Sequence, residues 1–270
     1  MTVMPEPPLS PRSFPQAVAA RPLTAWLAGR IALDSYLSLA ERLAGEVAEP
    51  GGRGPTLVVS ELEPIITIGR AGSRTDVLAT DEELRTHRLG VRFVGRGGGA
   101  VLHGPGQVAV GLFAALGDLG MAPHDVGGLL GRLESGLESA LVAVGCCPRR
   151  ISGGLGLRGH CGLLAAIGVA VRRGVVRHGA FVNVSLAHGV RRRVRSVTVG
   201  AGGGAGGEAV ASMGSIEAEL RRRVRLQEVR SALVRGVADA FGFPNTHIQA
   251  GFPLPPVART LAPEVLGRVG

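Results

Sequence analysis

From residue 31 the stretch IALDSYLSLAERLAGEVA sets Leu33, Leu37, Ala40, Leu43 and Val47 three or four positions apart, and EPGGRGP follows it. That period predicts an amphipathic helix with a firm stop. TLVVS at 56–60, PIITIG at 64–69 and VRFV at 91–94 predict short strands, with a short helix expected in DVLATDEELRTH. In PHDVGGLLGRLESGLESALVAVG, Val126, Leu129, Leu130, Leu133, Leu137 and Leu141 form one stripe, and Asp125 stands where an N-cap belongs. LLAAIGVAV and AFVNVS predict a strand pair, the loop GAGGGAGG follows at 200–207, and a last helix is expected over about 216–241. Helices and strands mix without strict alternation, which predicts one α/β domain of the α+β kind over 24–245. Residues 1–23 are proline-rich and aperiodic and are expected to form a disordered arm; 246–270 reads as an irregular proline-rich tail.

Composition narrows the class. The chain has 270 residues, 45 % hydrophobic but only 3 % aromatic, so the core must be aliphatic. No apolar run approaches the roughly 18 residues of a membrane span, and the start lacks the basic-then-apolar order of a secretory signal. A cytoplasmic, monomeric protein is the expectation. Cys146, Cys147 and Cys161 are too few and too badly spaced for a disulfide framework or a zinc site, so no metal and no cofactor are expected. The net charge of +9 invites a nucleic-acid reading, yet all 30 basic residues are arginine, and Gly, Ala and Arg are enriched together, as base-composition bias would produce. RRRVR occurs twice, at 191–195 and 221–225, without interleaved aromatics. That argues against single-stranded nucleic-acid binding and leaves a solvated face or an acidic partner.

The densest candidate chemistry is GRGGGAVLHGPGQVAVGLF, beginning at Gly95. Glycines let a ligand approach the backbone, and consecutive N–H groups can face an oxygen. RGGGAVLHGPGQ resembles the signature of the lipoyl(octanoyl)transferases, RGGxxTxHGPGQ. ELEPIITIGRAG is similar to that family's E-H-x-P-V-x-T-x-G segment, with Leu62 at the histidine position. LAAIGVAVRRGVVRHGAFVNV resembles a later segment, with Arg172, Arg173, His178, Gly179 and Asn183 in register, and VASMGSI resembles a further element. The resemblance implies the fold of the biotin/lipoate protein ligase catalytic domains, a mixed sheet flanked by helices. It also implies transfer of an octanoyl group from acyl carrier protein to a lysine of a lipoyl domain. Arg96, Gly97, Gly98, Gly99, Ala100, Val101, Leu102, His103, Ala166, Ile167, Gly168, Gly179, Ala180 and Phe181 would then line the acyl tunnel, with His178 and Asn183 in support.

The pattern breaks at the reacting groups. The family uses a cysteine in N-P-C-G and a lysine before I-A-A-I-G; in register with these stand Val199 and Leu163. An enzyme thioester needs a thiolate and a group that lowers its pKa, and this chain has no lysine at all. Three readings follow. The chain keeps the acyl pocket without the transfer chemistry; or Cys161, two residues before Leu163 and on the same face if the strand extends to it, serves as a relocated nucleophile; or the arginine runs make it a basic module for acidic partners. Cys161 would need Arg96 or Arg173 for charge and His103 or His178 as base. Cys147 is a weaker substitute, and direct aminolysis by a bound lysine needs no nucleophile but would be slow.

Overall fold

The computed structural model describes residues 21–151, 155–186, 189, 193–197 and 210–253. In chain order the elements are β1 (Leu23–Ile31), α1 (Leu33–Ala48), β2 (Thr56–Leu62), β3 (Ile65–Ile68), α2 (Asp81–Thr86), β4 (Val91–Phe93), β5 (Ala100–His103), β6 (Gln107–Ala115) and α3 (Val126–Ala143). β7 (Arg149–Arg150), β8 (Gly156–Gly159), β9 (Gly162–Arg172), β10 (Val175–Asn183), β11 (Arg195–Val197), β12 (Val210–Ser212), α4 (Ile216–Leu220), α5 (Leu226–Phe241) and β13 (Thr246–Ala250) complete them. An eight-stranded mixed sheet runs β13-β1-β2-β6-β10-β9-β8-β7, a three-stranded sheet runs β4-β3-β5, and β11 pairs β12. The mixed sheet flanked by helices is the expected architecture.

The periodic segments form the helices the pattern predicts. The α1 stripe buries Leu33, Tyr36, Leu39, Ala40, Leu43 and Val47. Asp125 caps α3 by accepting from Gly128 N at 2.8 Å, and Thr80 and Glu83 form a capping box on α2. On one face of the main sheet, α3 and α5 cover a core that includes Leu112, Leu137, Ile167, Ala180 and Leu233. On the other, a second cluster joins Leu33 and Tyr36 of α1, Ile66, Ile68 and Leu102 of the small sheet, and Leu163, Ala166 and Phe181 of the main one.

Three expectations need correction. β1 begins at Leu23, inside the segment read as an arm, whose residues 1–20 lie outside the described ones. Residues 246–250 are not irregular: β13 pairs in parallel with β1, Leu23 opposite Thr246, so the chain's late edge strand completes the sheet. The last helix is two. Arg221 ends α4 in the left-handed region at φ 51°, and 221–225 is the turn before α5.

Candidate functional site

A narrow cleft lies between α1, the small sheet and β10; the roughly 240 Å³ of non-atom space there includes open solvent, and the enclosed part has room for about one water molecule. Leu33, Tyr36, Leu37, Leu62, Val94 and Phe181 give it aliphatic and aromatic walls; Thr67, Arg96, His103 and His178 form its polar end. The glycine segment packs beneath that end. A Cβ on Gly168 would lie 2.9 Å from Gly97 O, and one on Gly97 would lie 2.9 Å from Val169 O, so only glycines let the 96–99 loop lie on β9. That contact replaces the open donor nest expected at Gly97, whose N–H donates to Val169 O at 2.9 Å.

Arg96 is 3 % exposed and makes no ion pair among the described residues. Its Nη2 donates to Thr67 O at 3.0 Å and to Thr67 Oγ1 at 2.7 Å, Nε to Thr67 Oγ1 at 3.3 Å, and Nη1 to Gly97 O at 2.9 Å. The guanidinium also stands over the Phe181 ring, 5.3 Å from its centroid, a favourable cation–π contact. Burial lowers its pKa to about 10, with Tyr36 opposing the shift. The group is a cation at neutral pH, held by neutral oxygens.

From Arg96 a directed chain of hydrogen bonds crosses the site. Asn183 Nδ2 lies 2.9 Å from Leu163 O and Gln107 Nε2 lies 2.8 Å from Leu102 O; carbonyls only accept, which fixes both amide orientations. Gln107 Nε2 also donates to Asn183 Oδ1 at 2.9 Å. Gln107 Oε1 therefore accepts from His103 Nδ1–H at 2.7 Å, and His103 Nε2 accepts from the Thr67 hydroxyl at 2.7 Å. Both ring nitrogens are engaged and the ring is neutral. Burial first, then the Arg96 charge, depress the His103 pKa to about 3. His103 is thus a fixed strut with no lone pair free for base chemistry. His178 sits at φ 62°, uncommon for a side chain of its bulk, with its ring centroid 5.9 Å from that of Tyr36. Burial, then the charges of Arg177, Arg96 and Arg70, lower its pKa to about 4.

The pocket brings together Arg96, His103, His178 and Phe181 of the expected residues. Ile167 and Ala180 lie on the opposite face, in the α3/α5 core, because they are register partners and successive strand residues alternate. Gly179 serves packing: its Cβ would meet Val110 O at 2.1 Å. Gly98, Gly99 and Gly168 support the loop, while Ala100, Val101, Leu102 and Ala166 belong to the apolar cluster behind the wall. Leu163 is fully buried in that same cluster. Val199 lies outside the described residues.

Cys161 does not share Leu163's face, because β9 starts at Gly162 and Cys161 stands exposed in the preceding turn. Its Sγ contacts Ala218 O at 3.5 Å and its N–H donates to Glu219 at 2.9 Å. The whole of β9 separates it from Arg173, and neither histidine of the pocket touches it. Cys147 is exposed before β7; Cys146 is buried, and burial pushes its thiol up to about 11.

Sequence reasoning missed Tyr36, Thr67 and Gln107. Tyr36 is the chain's one tyrosine, set in an aliphatic stripe, and a lone hydroxyl there signals a polar partner nearby. Gln107 closes the HGPGQ motif four residues after His103. Glu61 was missed too: it accepts from Gly106 N at 3.0 Å and from Arg230 Nη2 at 2.9 Å, tying that turn to α5. Among the described residues no group of His, Cys, Asp and Glu could hold a metal, and no helix is long and apolar enough to cross a membrane.

Residues 33–238 match the model of the lipoyl protein ligase A/B catalytic domain. An octanoyltransferase from Geobacter metallireducens is 35 % identical over 218 residues, covering 80 % of this chain and 90 % of its own. Another, from Geotalea uraniireducens, is 33 % identical over 216 residues, covering 79 % and 92 %. A lipoate protein ligase from Thermoplasma acidophilum, described with its E2 lipoyl domain, superposes with a TM-score of 0.57 at 16 % identity, covering 84 % and 85 %. At that identity the likeness is one of fold.

Proposed function

The chain belongs to the lipoyl protein ligase A/B catalytic-domain family, and from that premise we propose that it holds a medium-chain acyl group in the α1/β10 pocket without forming an enzyme thioester. The aliphatic walls line the entry for the chain, and the cleft widens to admit it. The cation of Arg96, steady across neutral pH, faces the polar end, where a thioester carbonyl or a free carboxylate gains most from it. The two neutral histidines add no charge and take no proton.

One observation carries the second half of the reading. The position that the resemblance assigns to the lysine is a fully buried leucine, in a chain with no lysine anywhere. The cysteine position is Val199. Without a thiolate and a cation beside it, the carbonyl carbon meets no nucleophile from this chain. Its partners are acyl carrier protein and lipoyl domains, its compartment the cytoplasm, and its working form the monomer.

Titration with octanoate tests the pocket: the melting temperature should rise and saturate, since a ligand bound only by the folded state stabilises it by mass action. No shift at saturating octanoate would defeat the reading.

A further inference from the structure

Two groups in the cleft lack a partner, one a charge and the other a hydroxyl. Arg96 makes no ion pair among the described residues, and none of those lining the cleft is acidic. The other cations whose charge reaches His178 are already engaged: Arg177 pairs with Glu41, and Arg70 donates to Gly95 O at 3.0 Å. A buried guanidinium held only by neutral oxygens lacks a counter-ion. Its hydrogen bonds to Thr67 and Gly97 use four of the five N–H groups an arginine carries, and one on Nη1 has no described acceptor.

Tyr36 is 3 % exposed, and its hydroxyl makes no hydrogen bond with a described residue. α1 lays it against the sheet at Gly111, where a Cβ would lie 3.2 Å from Tyr36 Oη. Gly111 stands mid-sheet, in register with Val58 on one side and Gly179 on the other, so the main chain beneath the hydroxyl is committed to the ladders. The His178 ring, 5.9 Å away between centroids, is not bonded to it. Burial raises the phenol pKa, against the pull of the Arg96 charge, so the oxygen keeps its proton. A buried donor without an acceptor is costly, and this one lines the cleft beside the cation.

We propose that Arg96 and Tyr36 together select a free carboxylate as the ligand's head group, with Tyr36 the specificity-determining residue; this rests on the acyl-binding reading above. A carboxylate only accepts hydrogen bonds and carries one negative charge. It therefore supplies both missing partners at once, the counter-ion of Arg96 and the acceptor of the Tyr36 O–H. A thioester carbonyl supplies an acceptor but no charge, and leaves the guanidinium as it was. An amide adds N–H donors to a cleft already rich in donors. A phosphate monoester brings three oxygens and close to two charges to one unpaired cation and one unpaired hydroxyl.

Calorimetry on the full chain compares octanoate with octanamide, S-ethyl octanethioate and octyl phosphate, four probes with the same tail. Octanoate should bind at least about 10-fold more tightly than each of the others. In Tyr36→Phe the octanoate affinity should fall about 10-fold, as for a lost hydrogen bond to a charged group, and the affinities for the two neutral probes should fall less. Without ligand that variant should melt no lower than wild type, because the hydroxyl it removes has no partner in the protein. Wild-type preference for the thioester or the phosphate, unchanged octanoate affinity in Tyr36→Phe, or a lower melting temperature of the unliganded variant would overturn the proposal. Tighter binding of the thioester than of octanoate refutes this inference and spares the pocket; binding of none of the four refutes both.

Discussion

The two ends of the β9–β10 pair show opposite solutions. At the Arg96 end every bond of a polar chain is made, from guanidinium through Thr67, His103 and Gln107 to Asn183. At the Leu163 end the same chain finishes on a backbone carbonyl, and the side chain beside that carbonyl is aliphatic and buried. The polar scaffold is intact, and on the reading proposed above the reacting group is missing. Because the last bond falls on the main chain, it is indifferent to what side chain residue 163 carries. On that reading, holding the acyl group and attacking it are separable in this fold.

Restoring the missing half is the largest change available. Leu163→Lys with Val199→Cys should take the octanoyl adduct from none to a measurable fraction of the protein, read by intact mass after incubation with octanoyl carrier protein. Failure of the double variant to acylate, while still binding octanoate, would mean that more than two side chains separate the ends. Leu163→Ala should cost about 2–5 kcal/mol in urea unfolding, the range for a buried leucine, with octanoate affinity little changed. Arg96→Met should cost about 2–4 kcal/mol, because Thr67 O and Gly97 O lose their donor, and should weaken octanoate at least about 10-fold by calorimetry. Gln107→Leu leaves His103 Nδ1–H and Asn183 Oδ1 unpaired, at about 1–3 kcal/mol. A double-mutant cycle with Asn183→Leu should show coupling, whereas a cycle with Leu163→Ala should be close to additive.

The most gradual effect is on pH. His103 and His178 titrate in the folded protein at about 3 and about 4, against 6.5 unfolded. Below pH 6.5 the unfolded chain therefore binds more protons than the folded one. The stability these rings contribute is complete above 6.5 and is lost as pH falls towards 4 for His178 and 3 for His103. The slope is at most about 1.4 kcal/mol per pH unit for each ring. His178→Asn, which tolerates a left-handed backbone, should flatten the upper part of that window in thermal melts.

How far this could be read beforehand depended on whether the signal was local. α1 and α3 are visible because each buries one stripe of its own sequence, and the β9–β10 pair because its apolar runs are continuous. β13 carries no such signal: four of its five residues are exposed, and only pairing with β1, more than 200 residues away, makes it a strand. The end of α4 was hidden because arginine has good helix propensity, so nothing in the local sequence marks the left-handed turn at Arg221. In the site, Arg96 and His103 stood out through their motif. Their roles did not, because the tautomer of His103 depends on Thr67, Gln107 and Asn183, which three other strands supply. Cys161 looked competent from spacing alone, and the start of β9 one residue later removes it from the interior.

The most direct test is the intact mass of the wild-type protein after incubation with octanoyl carrier protein, under conditions in which octanoate itself binds. The mass should stay that of the unmodified chain. An added octanoyl group, mapped to Cys161 or to any other side chain, would contradict the claim that this pocket grips without attacking.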